Sequence, residues 1–276
     1  MKKWIQSHPL LVAAAGLLIG FVGARIIPEP GQAMAILKRV LLSAIMLAIM
    51  AAAGGAGALS AERGSFFRSI RLYKSMLIVT MLLGAASFAS AVLLLVSELV
   101  ENWKLVLLLM VPEYLLVGLF EESCFRGVML NGILARFGGS RKGVYASLVI
   151  SGLIFGFAHV ALDALGPQSP STIIQIISKT LSTGITGVLL GAVYLETKNI
   201  WAVSLLHGFG DFVLVLALNL FFSEGFTAVY VNTGTDLISA VRGLIVVIVI
   251  NFWPLIATVK LMKKLAVPQE GIWRQS

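Results

Sequence analysis

The stretch KLVLLLMVPEYLLVGLFEESCFR, Lys104 to Arg126, decides the fold. The span read from it, 104–123, is about 20 residues long, enough at a rise of about 1.5 Å per residue to cross a hydrocarbon core of about 30 Å. Yet it closes on two adjacent carboxylates, Glu121 and Glu122, and on Arg126. A charge at the centre of a bilayer costs roughly 2.5–3.5 kcal/mol on insertion scales, so such residues face a bundle interior or an aqueous cavity and have partners. The stretch therefore reads as a membrane span that carries a buried polar site.

The same conflict recurs downstream. Phe155-Gly-Phe-Ala-His159 and His207-Gly-Phe-Gly-Asp211 also set ionisable side chains inside apolar runs. The whole chain shares that solvent: of 276 residues 58% are hydrophobic and only 12% charged, with a mean hydropathy of +0.96. Apolar runs between charge clusters predict eight spans, near 9–27, 34–59, 75–98, 104–123, 144–162, 172–195, 200–222 and 237–261. The expectation is an all-α polytopic membrane protein with a polar cavity in the bundle, residues 1–276 forming a single membrane domain and 104–222 its site-bearing core. The first run follows Met1-Lys2-Lys3 but continues to about Ile27, and Ala13-Ala14-Ala15 lies too early to be a cleavage site. It reads as a span and not as a signal peptide.

Charge sets the expected orientation. The connections holding Arg63, Arg68, Arg71 and Lys74, and Arg136, Arg141 and Lys142, are basic, as is the carboxyl end with Lys263, Lys264 and Arg274. The positive-inside rule puts these in the cytoplasm, together with both termini. Arg25, Lys38 and Arg39 flank a connection that this topology places outside. The net charge of +8 is explained by topology and by attraction to anionic lipids, so it does not point to nucleic acid. Cys124 is the only cysteine; it can form no intrachain disulfide and reads as packing. Ala51 to Gly57 reads as a seam for close helix packing, and Lys179 as a side chain snorkelling to the outer interface.

Depth and helical spacing group the polar residues. Glu121 and His159, on antiparallel neighbours, both fall roughly 22 Å from the cytoplasmic turn. His207 and Asp211 enter from the same side, so all four are expected to line one cytoplasm-facing cavity. Glu122 and Arg126 are four apart and share a face, as an ion pair with the acid amino-terminal; that leaves Glu121 for general-base work on water. His207 and Asp211, also four apart, can point at a substrate carbonyl or at each other. Gly208 and Gly210 leave room for a backbone or peptide to approach.

Glu121-Glu122-x-x-x-Arg126, Phe155-x-x-x-His159 and His207-x-x-x-Asp211, in that order on successive spans, resemble the CPBP family of CAAX prenyl proteases and bacteriocin-processing or immunity proteins. The resemblance covers about residues 104–222 by motif and the rest by topology. It implies an intramembrane endopeptidase of a bacterial or archaeal cytoplasmic membrane, acting on a membrane-associated or lipidated peptide or protein. It implies that Glu121 and His159 activate water, that His207 and Asp211 stabilise the oxyanion or position the carbonyl, and that Glu122, Arg126 and Phe155 support the site. Many relatives carry Asn where this chain has Asp211, and an ionised Asp only accepts hydrogen bonds. Asp211 is therefore expected to orient His207, or to work protonated.

No cofactor is favoured, although Glu121, His159 and His207 are a donor set of the kind that binds catalytic zinc with one position open. An aspartyl-protease reading of Gly208-Phe-Gly-Asp211 lacks a second Asp on another helix, and no serine-protease motif surrounds Ser204. The alternative from another class is a peptide-binding immunity protein or a small transporter that uses the same polar cavity without cleavage.

Overall fold

The computed structural model describes residues 2–95, 98–160, 169–221 and 235–269. Among the described residues every regular element is helical, and eight helices are long and apolar enough to cross a membrane. They are α1 Pro9–Ile26, α2 Gln32–Ala52, α3 Ser65–Leu93, α4 Trp103–Phe137, α5 Arg141–Ala158, α6 Pro170–Thr197, α7 Ile200–Phe221 and α8 Leu237–Lys264. The protein is thus an all-α, multi-pass membrane protein.

The limits of the spans differ from expectation for local reasons. Helix α3 begins ten residues early, after Gly64 at φ 87°. Arg68, Arg71 and Lys74 ride on its first turns, because long basic side chains keep their stems on apolar surface and their heads in water. Helix α4 runs on past Arg126 to Phe137 through a π-helical stretch, Ser123–Leu130, since Arg126 is buried with its partner and does not mark an interface. Helix α2 ends at Ala52, and Gly54, at φ 110°, turns the chain into a short 3-10 helix, Gly55–Leu59. The small residues from Ala51 to Gly57 span a helix terminus and the turn after it, and Ala53 among them is fully buried in the core. Helix α5 stops at Ala158, with His159 at its C-cap.

Two glycine-lined crossings hold the site-bearing helices together. At the α4–α7 crossing a Cβ on Gly118 would lie 2.2 Å from the Ser204 carbonyl oxygen, and one on Gly208 would lie 2.3 Å from that of Tyr114. The two backbones touch, and only glycine permits it. The room at Gly208 is thus filled by α4, not kept for substrate as the sequence suggested. At the α5–α6 crossing a Cβ on Gly156 would lie 2.2 Å from the Thr180 carbonyl oxygen. These contacts bring the carboxyl half of α5 and the first turns of α7 onto the middle of α4.

One end of the bundle gathers the basic connections. There Gln269 N–H donates to the Gly138 carbonyl (2.9 Å), Lys198 Nζ to Gln269 Oε1 (2.7 Å), and Asn199 Nδ2 to Ser65 Oγ (2.8 Å). Burial pulls the Lys198 ammonium down to about 8, against a weaker opposing effect of Glu196. The α1–α2 connection and the carboxyl end of α5 lie at the opposite end.

Candidate active site

The site grows from one buried ion pair. Arg126 Nη1 lies 2.9 Å from Glu122 Oε1, and both side chains are fully buried. Such a pair is tolerated in a low-dielectric interior only when further contacts compensate desolvation. Here they do so in part: Arg126 Nη2 donates to the Gly187 carbonyl on α6 at 3.0 Å and the guanidinium stacks over the Phe155 ring at 4.5 Å, while Arg126 Nε and Glu122 Oε2 have no hydrogen-bond partner. The expected i,i+4 pair is present, and it is tied to two other helices.

Glu122 has a second task that spacing did not disclose. The same Oε1 accepts from His207 Nδ1 at 2.8 Å. This hydrogen bond fixes the ring and turns Nε2 toward Asp211 Oδ2, at 3.4 Å, and toward Glu121 Oε2, at 3.7 Å. The partner on Nδ1 that orients His207 is thus Glu122, while Asp211 faces the other nitrogen. Nothing in the sequence links positions 122 and 207, because the contact depends on the Gly118–Gly208 crossing; the Gly187 carbonyl was equally hidden.

His159 is oriented by its own helix. Its Nδ1 donates to the Phe155 carbonyl at 2.8 Å, satisfying one of the orphan carbonyls at the end of α5. Its Nε2 then faces Glu121 Oε2 at 3.5 Å. Phe155 sits among these groups. Its ring meets His159 at 4.6 Å and 65°, His207 at 5.5 Å and 75°, and Phe125 at 4.9 Å and 83°. These are edge-on geometries that lock rotamers while excluding water.

Glu121, His159, His207 and Asp211 therefore form one run of contacts, with His159 and His207 on Glu121 and Asp211 joined through His207. A cavity of about 380 Å³ reaches two of them, Glu121 and His159, over a wall that includes Phe120, Cys124 and Phe125. His207 and Asp211 lie outside its lining. Its mouth carries Arg25, Glu29, Lys38 and Arg39, which places the opening at the end of the bundle opposite the basic connections. The expectation of four residues lining one cavity that opens toward those connections is corrected on both counts. Near the mouth, Lys38 Nζ reaches Glu29 Oε1 at 2.7 Å and donates to the carbonyls of Ala24 and Ile27 at 2.5 and 3.0 Å. Lys38 caps the carboxyl end of α1, so it is a structural cation and a poor marker of topology.

Among the described residues no group of three His, Cys, Asp or Glu is arranged to hold a metal ion. The Nε2 atoms of both imidazoles instead aim at one carboxylate oxygen. Cys124 is buried against the cavity wall, in keeping with packing.

The fold and the site define an all-α multi-pass membrane protein that holds a carboxylate–imidazole cluster between α4, α5 and α7. Residues 101–213 match the family model described as type II CAAX prenyl endopeptidase Rce1-like. That stretch contains every residue of the three motifs, and over it the resemblance to the CPBP family is borne out. With the eight spans, the match supports an intramembrane endopeptidase in general class. No curated protein and no solved structure matches the chain.

Proposed function

We propose that this protein hydrolyses a peptide bond of a membrane-associated or lipidated substrate, with Glu121 as general base. The observation that carries the reading is the convergence of the Nε2 atoms of His159 and His207 on Glu121 Oε2, at 3.5 and 3.7 Å, beside a cavity. Gaps of that size are suited to a bridging water. With Nδ1–H committed to the Phe155 carbonyl, His159 Nε2 is the nitrogen left to accept from one water proton, and Glu121 takes the other. The water oxygen bonds to the scissile carbonyl carbon as the carbonyl electron pair moves onto oxygen. As an imidazolium, His207 donates from Nδ1 to Glu122 and from Nε2 to the developing oxyanion, leaving Asp211 as its charge partner. The intermediate collapses, the C–N bond breaks, and Glu121 returns its proton to the leaving amine.

Oriented donors at the oxyanion are worth about 100- to 1000-fold each in rate. Glu122, Arg126 and Phe155 act through His207 and are positioning residues. We favour a reaction without a metal, because among the described residues no group of three His, Cys, Asp or Glu is arranged to hold one. Cleavage of fluorogenic membrane peptides by purified protein tests this. Activity that is lost in Glu121→Gln and His159→Ala but kept under a strong zinc chelator is the expected result. Chelator-dependent loss restored by zinc would instead make Glu121, His159 and His207 ligands. Peptide binding without turnover in wild type would leave a binding protein that uses the same cavity.

A further inference from the structure

A second polar cavity lies at the basic end of the bundle, away from the catalytic cluster. About 190 Å³ in volume, it runs between α3 and α8 and is lined by Arg71, Lys74, Lys260 and Lys264, with no acidic residue in its wall. On α3, Arg71, Lys74 and Ser75 are spaced i, i+3, i+4; on α8, Trp253, Ala257, Lys260 and Lys264 are spaced i, i+4, i+7, i+11. Both sets are single helical stripes, so two stripes face each other across a groove. Among the described residues none of the four cations is in an ion pair.

Positive charge at this end suffices to orient a membrane protein, but topology alone does not require four cations around one cleft. A second, independent feature points to a ligand. Ser75 is 2% exposed, lines the cavity, and its Oγ has no hydrogen-bond partner. A buried hydroxyl left unpaired costs about 1–3 kcal/mol, and a phosphate oxygen seated among the four cations would accept its proton. Along the helices, the ends of Lys264 and Arg71 lie near the interface, while Trp253 lies deeper, about 16 Å from the end of α8 at the helical rise. The groove thus grades from cationic at the surface to aromatic and apolar within, which matches a lipid headgroup joined to its acyl chains.

We infer that the α3–α8 groove binds one anionic phospholipid, its phosphate held by Arg71, Lys74, Lys260 and Lys264 with Ser75 Oγ as an added donor. The shared chemistry is a phosphate ester. Its placement inside a transmembrane groove favours the lipid over free phosphate.

Native mass spectrometry of the full chain in detergent, titrated with phosphatidylglycerol, tests the site. One retained lipid per chain is expected, with affinity falling about 30-fold in Arg71→Gln/Lys260→Gln, from the loss of two interfacial charges. The control Arg63→Gln/Lys142→Gln removes two charges from the same end but outside the groove, and should bind as wild type does. Ser75→Ala, which disturbs neither charge nor fold, should weaken retention several-fold. Phosphatidylcholine should not be retained, and millimolar inorganic phosphate should not compete. Equal losses in the two double variants, or equal retention of both lipids, would show that only diffuse charge acts there. Effective competition by phosphate would assign the groove to a free anion and overturn the lipid.

Discussion

Glu122 divides one carboxylate oxygen between Arg126 Nη1, at 2.9 Å, and His207 Nδ1, at 2.8 Å. Its neighbour Glu121 faces the Nε2 atoms of both histidines. Two adjacent acids are thus separated by environment: one is fully buried and structurally committed, while the other keeps 21% of its side chain exposed. The division predicts different losses. Glu121→Gln should keep the melting temperature and lose activity by at least about 100-fold, the lower range for a general base. Glu122→Gln should instead unfold readily, because removing one partner of a buried pair strands the other charge at a cost of about 3–5 kcal/mol. Glu122→Leu/Arg126→Met should recover most of that stability, since an apolar replacement of a whole buried pair is often neutral or better. It should not recover turnover, because His207 has lost its Nδ1 partner. Detergent melting curves and peptide cleavage on the same preparations check both parts, and an active double variant would remove Glu122 from the orientation of His207.

At the scale of helices, the site depends on contacts that no side chain makes. Gly208→Ala would drive a Cβ to 2.3 Å from the Tyr114 carbonyl oxygen and 3.0 Å from the Leu115 Cα. Neither is the free end of a flexible side chain, so α7 must move away from α4. Overpacking of this kind costs about 1–3 kcal/mol, and displacing reacting groups by 1 Å can cost about 100-fold in rate. Gly243→Ala, on α8, meets nothing within 4 Å, so it should leave both melting temperature and activity unchanged. If Gly208→Ala behaved like Gly243→Ala, the α4–α7 crossing would be looser than described. The crossings also mark where sequence reading stops. The spans, the Glu122–Arg126 pair and the meeting of Glu121 with His159 were legible, because hydropathy and helical spacing are local properties. The pairing of Glu122 with His207, the seat of Arg126 on the Gly187 carbonyl and the use of Gly208 were not. Each requires knowing which faces of α4, α6 and α7 touch. Boundaries failed for a related reason: Arg71 and Lys74 on α3 are charges that do not end a helix.

For the whole molecule, the basic end and the cavity mouth lie at opposite ends of the bundle. Arg63, Arg136, Arg141, Lys142, Lys263 and Lys264 gather at one end, while Glu121 and His159 are reached from the other, past Arg25, Glu29 and Arg39. Arg25, Lys38, Arg39, Lys104 and Arg242 are the cations at the mouth end, which disagree with the positive-inside orientation. Lys38 is discounted by its three partners at the end of α1, and Arg39 lies 3.4 Å from Glu29 Oε1. Exposed Arg25, Lys104 and Arg242 are left as contrary charges outside any ion pair among the described residues, against the larger number at the basic end. The orientation bias therefore favours cytoplasmic termini, with the cavity opening outward. This predicts that a cysteine at Arg25 reacts with a membrane-impermeant maleimide in intact cells, whereas one at Arg63 or Lys142 reacts only after permeabilisation. Native Cys124, 2% exposed, should stay silent in both conditions. The reverse pattern would turn the mouth to the cytoplasm and put the basic connections outside. The result decides which substrates can arrive. An outward mouth admits peptides already delivered across the membrane or released within its outer leaflet, and an inward one admits proteins lipidated in the cytoplasm.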